Sequence, residues 1–354
     1  MTDTDTTIEN RSEIVFLYDA VDANPNGNPL SGANRPRIDP HTQECVVTDV
    51  RLKRYLRDQL AADGHGVYIR NIKEDGYAAT RKELLESRLK EFDPDEHDTA
   101  EEMAEAVFGE FLDHSADVRY FGATMSVDAK DDKLEAAVDA LPDHFTGPVQ
   151  FSPGKSLHPV MENEEYNSLT SVIATQEGKE QGGFDLDDHR IQYGLIGFHG
   201  LVDEHGAAST KLSEADVRRL DTLCWRALKN QTISRSKVGQ EPRLYLRVEY
   251  DEESFHLGGL DKDLTLGEES EPPEQLRNVR DLTLDVSSII DRLDRAGDRI
   301  ASVRVVTSDV LTVEHGDETG GPEFLYDALR DAVGTDTVEV IDVYEERAET
   351  LPEA

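Results

Sequence analysis

EIVFLYDAVDANPNGNPLSGANRPRIDPHTQECVVTDVRLKRYLR, residues 13–57, decides how the rest of this chain is read. Residues 14–18 (IVFLY) are a continuous apolar run, which predicts a strand covered on both faces. Over 19–40, Asn, Gly and Pro recur, and their turn chemistry predicts a loop. A loop longer than about 15 residues is usually functional or disordered. Thr48 then caps a helix with Leu52, Tyr55, Leu56 and Leu60 on its apolar face, so that Arg51, Arg54 and Asp58 point away from the core. Between Asn24 and Arg57 there are six Arg/Lys against three Asp/Glu, which makes the window locally positive. An anion is its expected occupant.

Across the whole chain the balance is the opposite. Asp and Glu outnumber Lys and Arg 75 to 37, a net charge of −38 spread over 354 residues rather than gathered in a tail. Twelve Lys against twenty-five Arg fit a halophilic surface that has lost bulk lysines and kept bidentate contacts. At roughly molar salt the Debye length is about 3 Å, so this charge repels a polyanion far less than it would in dilute buffer. Counterion release also drives little phosphate binding there. Affinity has to come from short-range contacts, stacking and assembly.

The length suits one large domain with insertions or two ordinary ones. No run of about eighteen apolar residues occurs and the first residues are acidic and polar, so neither a membrane span nor a signal peptide is expected. Cys45 and Cys224 belong to no Cys/His ligand spacing, which indicates neither zinc nor a disulfide framework and fits a reducing cytoplasm.

Further along, 77–117 is helical and acidic and reads as an inserted lobe, while 118–127 (VRYFGATMSV) and 147–152 (GPVQFS) read as strands. In the polar segment 157–189, the run 168–175 is expected to form one arm of a projecting β-hairpin. A core strand follows at 190–202. Ser213 and Asp216 make a capping box, Leu212 a staple, and Val217, Leu220, Leu223, Cys224, Ala227 and Leu228 a buried stripe. The stretch 225–247 is a second basic island, six bases to one acid. Within it, 243–250 alternates as a strand with Leu244, Leu246 and Val248 on one face. The segment 251–281 reads as an acidic loop, and strands at 300–307 and 337–344 enclose a helix at 323–333. No internal repeat occurs, and the interleaving points to an α+β sandwich of ferredoxin type with insertions.

Several motifs compete for the chemistry. Asp22, Asn24, Asn26 and Gly27 match the first half of a calcium loop, but position twelve is Ala33 where a bidentate Glu belongs, and Pro25 interrupts it. A loop offering N–H groups and side-chain amides to phosphate fits better, with a plain structural turn as the alternative. Gly154, Lys155 and Ser156 spell G-K-S, yet Val149 stands where the leading glycine of a P-loop should be and His158-Pro159 follows where a helix must start. S-x-x-K over 152–155 needs a helix that Pro153-Gly154 opposes. What survives is a Gly/Ser/Lys turn that can touch phosphate. His158, His189 and His199 each lack a second ligand at metal spacing. Asp19 and Asp22 are the carboxylates to watch as nuclease ligands. The loop RSKVGQEPR, 235–243, would join Arg35, Arg37, Arg51, Lys53 and Arg54 in one polyanion track.

EIVFLYDAVDANPNGNPLSG, RPRID, VVTDVRLKRYLRD, DVRYFGA, GPVQFSPGKSLHPV and RSKVGQEPR, taken in order, resemble the CRISPR-associated Cascade backbone family, Cas-seven, in its subtype I-B form, as found in a halophilic archaeon. The resemblance covers residue 12 to beyond 250. It implies an α+β fold with an RRM-like (ferredoxin-like) palm, an inserted helical finger lobe and a β-hairpin thumb. The implied boundaries are a flexible N-terminus at 1–12, palm at 13–70, finger at 71–117, palm at 118–156, thumb at 157–192, palm at 193–250, the acidic loop at 251–281 and palm at 282–354. It also implies a non-catalytic subunit that binds CRISPR RNA, polymerises with other copies of itself, and meets target DNA through guide pairing, beside the handle-binding, large and processing-nuclease Cascade subunits. No cofactor or metal is implied. Arg35, Arg37, Lys53 and Arg54 fall on its guide-phosphate positions, Gln150, Ser152, Lys155 and Ser156 at the thumb base, and Arg235, Ser236 and Lys237 on the loop lining the track. Asn24, Asn26, Arg51, Arg119 and Arg243 complete the expected RNA-binding set. A metal-dependent ribonuclease using Asp19 or Asp22, as in the type III relatives, is the alternative, and a free acidic scaffold is a third reading.

Overall fold

The computed structural model describes residues 6–27, 34–69, 83, 85, 89, 99–124, 142, 144–163, 169–171, 184–186, 188–231 and 237–352. In chain order its elements are β1 (Ser12–Ala23), β2 (Glu44–Val47), α1 (Asp49–Ala62), α2 (Ala100–Asp113), α3 (Ala116–Phe121), β3 (Gly122–Thr124), β4 (His144–Thr146), β5 (Val149–Phe151), β6 (Gly154–Pro159), β7 (Leu169–Ser171), β8 (Phe184–Leu186) and β9 (Ile191–Val202). There follow α4 (Glu204–Thr210), α5 (Glu214–Lys229), β10 (Gln240–Tyr250), β11 (Thr265–Leu266), β12 (Leu284–Asp285), α6 (Ser287–Ala296), β13 (Ile300–Thr307), β14 (Val313–His315), β15 (Glu318–Gly320), α7 (Pro322–Val333), β16 (Val338–Val340) and α8 (Val343–Glu349).

The fold is a mixed α/β one built on a sheet of order β16-β13-β10-β1-β9-β6-β2, with β5 also paired to β9. β1 runs through its middle. Ile14, Val15, Phe16 and Leu17 are fully buried, as an unbroken apolar run requires of a strand covered on both sides. Ile14, Phe16 and Tyr18 face one core with Leu52, Tyr55, Leu56 and Leu60 of α1 and Leu220, Leu223, Ala227 and Leu228 of α5. Val15 and Leu17 face a second core with Leu244, Leu246 and Val248 of β10 and with α6 and α7. Thr48 accepts from Arg51 N–H as the cap of α1, and Ser213 and Asp216 form the capping box of α5. α2 packs in a third, smaller core with Val118 and Phe145.

Three expectations are corrected. The loop expected from Asp19 begins only after Ala23, because β9 pairs along all of β1, Ser12 opposite Val202 and Ala23 opposite Ile191. Residues 118–127 do not form one strand: 116–121 is helix α3, ended by Gly122 at φ 71°, and only Gly122–Thr124 is extended. A short buried apolar run has no period by which helix and strand differ. The acidic stretch 251–281 is no loose loop either. Its Leu260, Leu264, Leu276 and Val279 cover the second face of the sheet.

Glu13 pins that layer down. Its fully buried carboxylate lies 2.6 Å from His199 Nε2 and accepts from the Tyr250 hydroxyl at 2.8 Å and Gly258 N–H at 2.9 Å. Burial alone would raise its pKa, but these partners hold it below the ordinary carboxylate value.

At the C-terminal end, 337–344 gives the short strand β16 and then a helix. β7 and β8 pair antiparallel, Leu169 opposite Leu186, as a ribbon separate from the main sheet. Residues 172–183 between them, and most of 71–98, lie outside the described residues. No helix among the described residues is long and apolar enough to cross a membrane.

Candidate nucleic-acid interface

In so acidic a chain the question is which cations remain free for a ligand. Most arginines are taken by carboxylates inside the fold. Asp117 holds Arg57, Asp63 holds Arg226, and Asp221 holds both Arg247 and Arg304.

Two expected phosphate contacts are corrected on this ground. Arg119 donates to both Asp216 oxygens at 2.8 and 2.9 Å and to Leu112 O at 2.6 Å. Arg243 lies 3.0 Å from the Asp19 carboxylate on the buried side of β10. Both are core ion pairs, because a buried carboxylate needs a cation nearby.

The remaining cations gather around the corner 24–27, where β1 ends. Asn26 Oδ1 accepts from the N–H and hydroxyl of Thr48 at 2.8 and 2.9 Å, fixing the corner to the start of α1. Asn24 Nδ2 donates to Asn34 O at 2.7 Å, fixing it to the basic arm that follows. These two amides are therefore scaffolding, and their expected role as direct phosphate donors is corrected. Gly27 is pressed against Asn34: an added Cβ would lie 2.1 Å from Asn34 Oδ1.

Arg37 sits on that arm, its carbonyl accepting from Val46 N–H at 2.7 Å, and Val46 is in turn paired with Lys155 of β6. Arg35 is exposed. Arg51 lies on the first turn of α1, its guanidinium 5.7 Å from the Tyr55 ring centroid. Among the described residues none of these three arginines meets a carboxylate. Two exposed apolar side chains, Val50 and Val238, are sequence neighbours of Arg51 and Lys237. The sequence reading passed over both. Val50 could have been noticed, since it is out of phase with the buried stripe of α1.

The other expected residues divide. Lys53 Nζ lies 2.8 Å from Gln150 Oε1 and 3.5 Å from Asp49, so it and Gln150 are brought together but partly satisfied. Burial lowers the pKa of Lys53, and Asp49 offsets this in part. Arg54 pairs with Asp58 one turn on, and the exposed Lys155 with Glu44 at 3.3 Å. Ser152 bonds the His199 backbone. Ser156, also corrected, is buried and bridges Cys45 N–H to His158 O. Arg235 and Ser236 lie outside the described residues.

Lys237 reaches the corner from the other side and donates to the carbonyls of Asn24 and Pro25. Its turn is tied to β1 by Val21 N–H donating to Gly239 O at 2.8 Å. Gly239 has φ 103°, and a Cβ there would lie 2.3 Å from Val21 O. Gly239→Ala is expected to destabilise the fold by about 2–3 kcal/mol, read as a lowered denaturation midpoint. Val238→Ala beside it should leave the midpoint unchanged.

Asp19 is buried against Arg243, and burial raises its carboxyl to about 6 although Arg243 opposes the shift. Asp22, at φ 44°, accepts from Asn163 Nδ2 at 2.8 Å through its side chain and from Arg190 through its carbonyl. Among the described residues no group of three or more His, Cys, Asp or Glu is placed to hold a metal ion.

A model of the family described as CRISPR-associated protein Cas7 matches residues 10–287. A protein of the halophilic archaeon Haloferax volcanii, "CRISPR-associated protein Cas7", is 54% identical over 344 residues, covering 96% of this chain and 98% of its own. Among solved structures, a chain of a "CRISPR RNA-guided surveillance complex, pre-nicking" is similar with TM-score 0.51 at 12% identity, over 96% of this chain and 99% of that one. At that identity the likeness is one of fold. A chain of another "CRISPR RNA-guided surveillance complex" gives TM-score 0.46, also at 12% identity, over 96% and 98% of the two chains.

Proposed function

We propose, from the premise that this chain belongs to the CRISPR-associated Cas7 family, that it is a non-catalytic backbone subunit of a type I-B Cascade complex, acting in the cytoplasm and polymerising along CRISPR RNA. The observation that carries this reading is the grouping of Arg35, Arg37 and Arg51 without carboxylate partners, among the described residues, at one corner of a chain of net charge −38. With acids so abundant, three unpaired guanidinium groups on one edge call for an external anion. Phosphodiester oxygens match their planar donors in pairs.

The strand order β10-β1-β9-β6, with α1 following β1 and α5 following β9, supports an RRM-like palm. The second face of that sheet is covered by 251–281, α6 and α7, so the RNA track lies at the end of β1 rather than across the sheet. The β7–β8 ribbon supports a thumb. The titles of the similar structures support guide RNA and further Cascade subunits as partners, with target DNA read by base pairing. A ribonuclease centred on Asp19 is disfavoured by geometry, since that carboxylate faces Arg243 rather than a substrate.

The test is purification at high salt followed by an ultraviolet spectrum and RNA sizing. RNA of discrete length is expected to accompany the protein. Protein free of nucleic acid would favour the acidic scaffold. Magnesium-dependent RNA cleavage that disappears in Asp19→Ala or Asp22→Ala would replace the proposal with the nuclease.

A further inference from the structure

We infer that Lys237 is a positioning residue rather than a phosphate contact: its amine, docked on the main-chain carbonyls of Asn24 and Pro25, holds the corner 24–27 in the shape that presents Arg35, Arg37 and Arg51. The inference rests on the RNA-binding reading for what the corner serves, and on geometry alone for the latch.

Lys237 Nζ donates to Asn24 O and, at 3.2 Å, to Pro25 O, which also accepts from the Tyr55 hydroxyl at 3.3 Å. The two residues it grips lead directly to both basic arms. Asn24 holds Asn34, which precedes Arg35 and Arg37, while Asn26 holds Thr48, which caps the turn carrying Arg51. The lysine turn is itself fixed to β1 through Gly239 O. One side chain thus closes a ring of contacts through β1, the arm 34–38, α1 and the turn 237–239. An ammonium turned inward onto carbonyls is not aimed at a ligand.

The groups facing this amine are the Arg51 guanidinium from α1 and the Cys45 thiol from β2, with the Tyr18 hydroxyl of β1 and the Tyr55 hydroxyl of α1 in the same buried surroundings. Among the described residues no carboxylate faces it. Burial, and then Arg51, lower its pKa from the ordinary 10.5 to about 7. The docked amine therefore holds fewer protons than an undocked one. By linkage, docking is favoured rather than weakened as the pH rises through 7. A neutral amine still donates to carbonyls. A phosphate contact would behave oppositely, losing its attraction as it lost its charge.

The experiment compares wild type and Lys237→Met in two ways. Hydrogen exchange without RNA is expected to show faster exchange in peptides containing 24–27 and 34–38 of the variant, at an unchanged melting temperature. Binding of single-stranded oligouridine RNA is expected to weaken about tenfold in the variant, while wild-type affinity holds or rises between about pH 6 and pH 8.5. Unchanged exchange at the corner overturns the latch. So does a wild-type affinity that falls through pH 7. If neither protein binds RNA, the RNA-binding reading fails, and faster exchange in the variant still upholds the latch. If Lys237→Met does not fold, the wild-type pH series decides between the two roles.

Discussion

Replacing Arg35, Arg37 and Arg51 together with Gln is expected to strip RNA from the purified protein while its melting temperature stays within about 2 °C. The three side chains pair with no carboxylate among the described residues, so their removal orphans no buried acid. Val46 N–H bonds the backbone carbonyl of Arg37, not its side chain, so the arm keeps its pairing. At high salt the long-range attraction is screened, and each lost contact is a short-range, charge-assisted hydrogen bond. Three of them amount to about 3 kcal/mol, roughly a hundredfold in affinity. The salt dependence should flatten too, by about 0.7 units of log–log slope for each phosphate released. Lys53→Ala and Arg54→Ala are the internal comparison. Both cations already have partners, Asp49 and Gln150 for the first and Asp58 for the second. Each should lower affinity by less than the arginine triple variant. Full RNA loading in that triple variant would remove the corner from the RNA track.

The largest loss of stability is expected from Asp221→Ala. This fully buried carboxylate accepts from the Tyr245 hydroxyl at 2.8 Å, from Arg247 Nε at 2.7 Å and from Arg304 Nε at 2.6 Å. Arg304 continues to Glu339 and Glu346, joining β13 to β16 and α8. Removing Asp221 leaves two nearly buried guanidinium groups facing each other without the charge between them. Breaking a buried pair in this way costs about 3–5 kcal/mol, a large part of the roughly 5–15 kcal/mol that holds a domain folded. Urea denaturation at neutral pH checks it, and a loss under about 1 kcal/mol would mean that water or rearrangement satisfies the pair.

The same site has a pH signature. Burial alone would raise the Asp221 carboxyl, but Arg247 and Arg304 hold it below its ordinary 3.8. A depressed carboxyl contributes stability that is complete above the ordinary value and is lost as the pH falls through the native one. Wild type should therefore lose this increment only below about pH 4, and the variant should lack that step.

Comparison of particular residues shows where legibility ended. Thr48, Ser213 and Asp216 were readable as caps because a cap and the N–H groups it satisfies lie within three residues of each other. The buried faces of α1 and α5 were readable because helical period is local. Asp216 was legible as a capping residue, yet its bonds to Arg119 were not. Nothing near either residue distinguishes that arginine from the free Arg35. The same limit applies to Asp19: its burial beside Arg243 extends β1 past the point where composition suggested a loop. Leucines 260, 264 and 276 carry no period, so their place over the sheet was likewise invisible.

By itself the sequence determined the buried central strand, the two principal helices with their caps, the acidic surface, the two basic islands and the family resemblance. These follow from spacing, turn chemistry and composition, which act over a few residues or over the whole chain. Only the tertiary structure decided which cations are free. An ion pair forms between whatever groups the fold brings within a few ångströms, and the pairs that removed Arg119 and Arg243 from the track join residues 97 and 224 positions apart (216 − 119 and 243 − 19). The tertiary structure also turned Lys237 inward, because the corner's carbonyls, and not a ligand, lie within its reach.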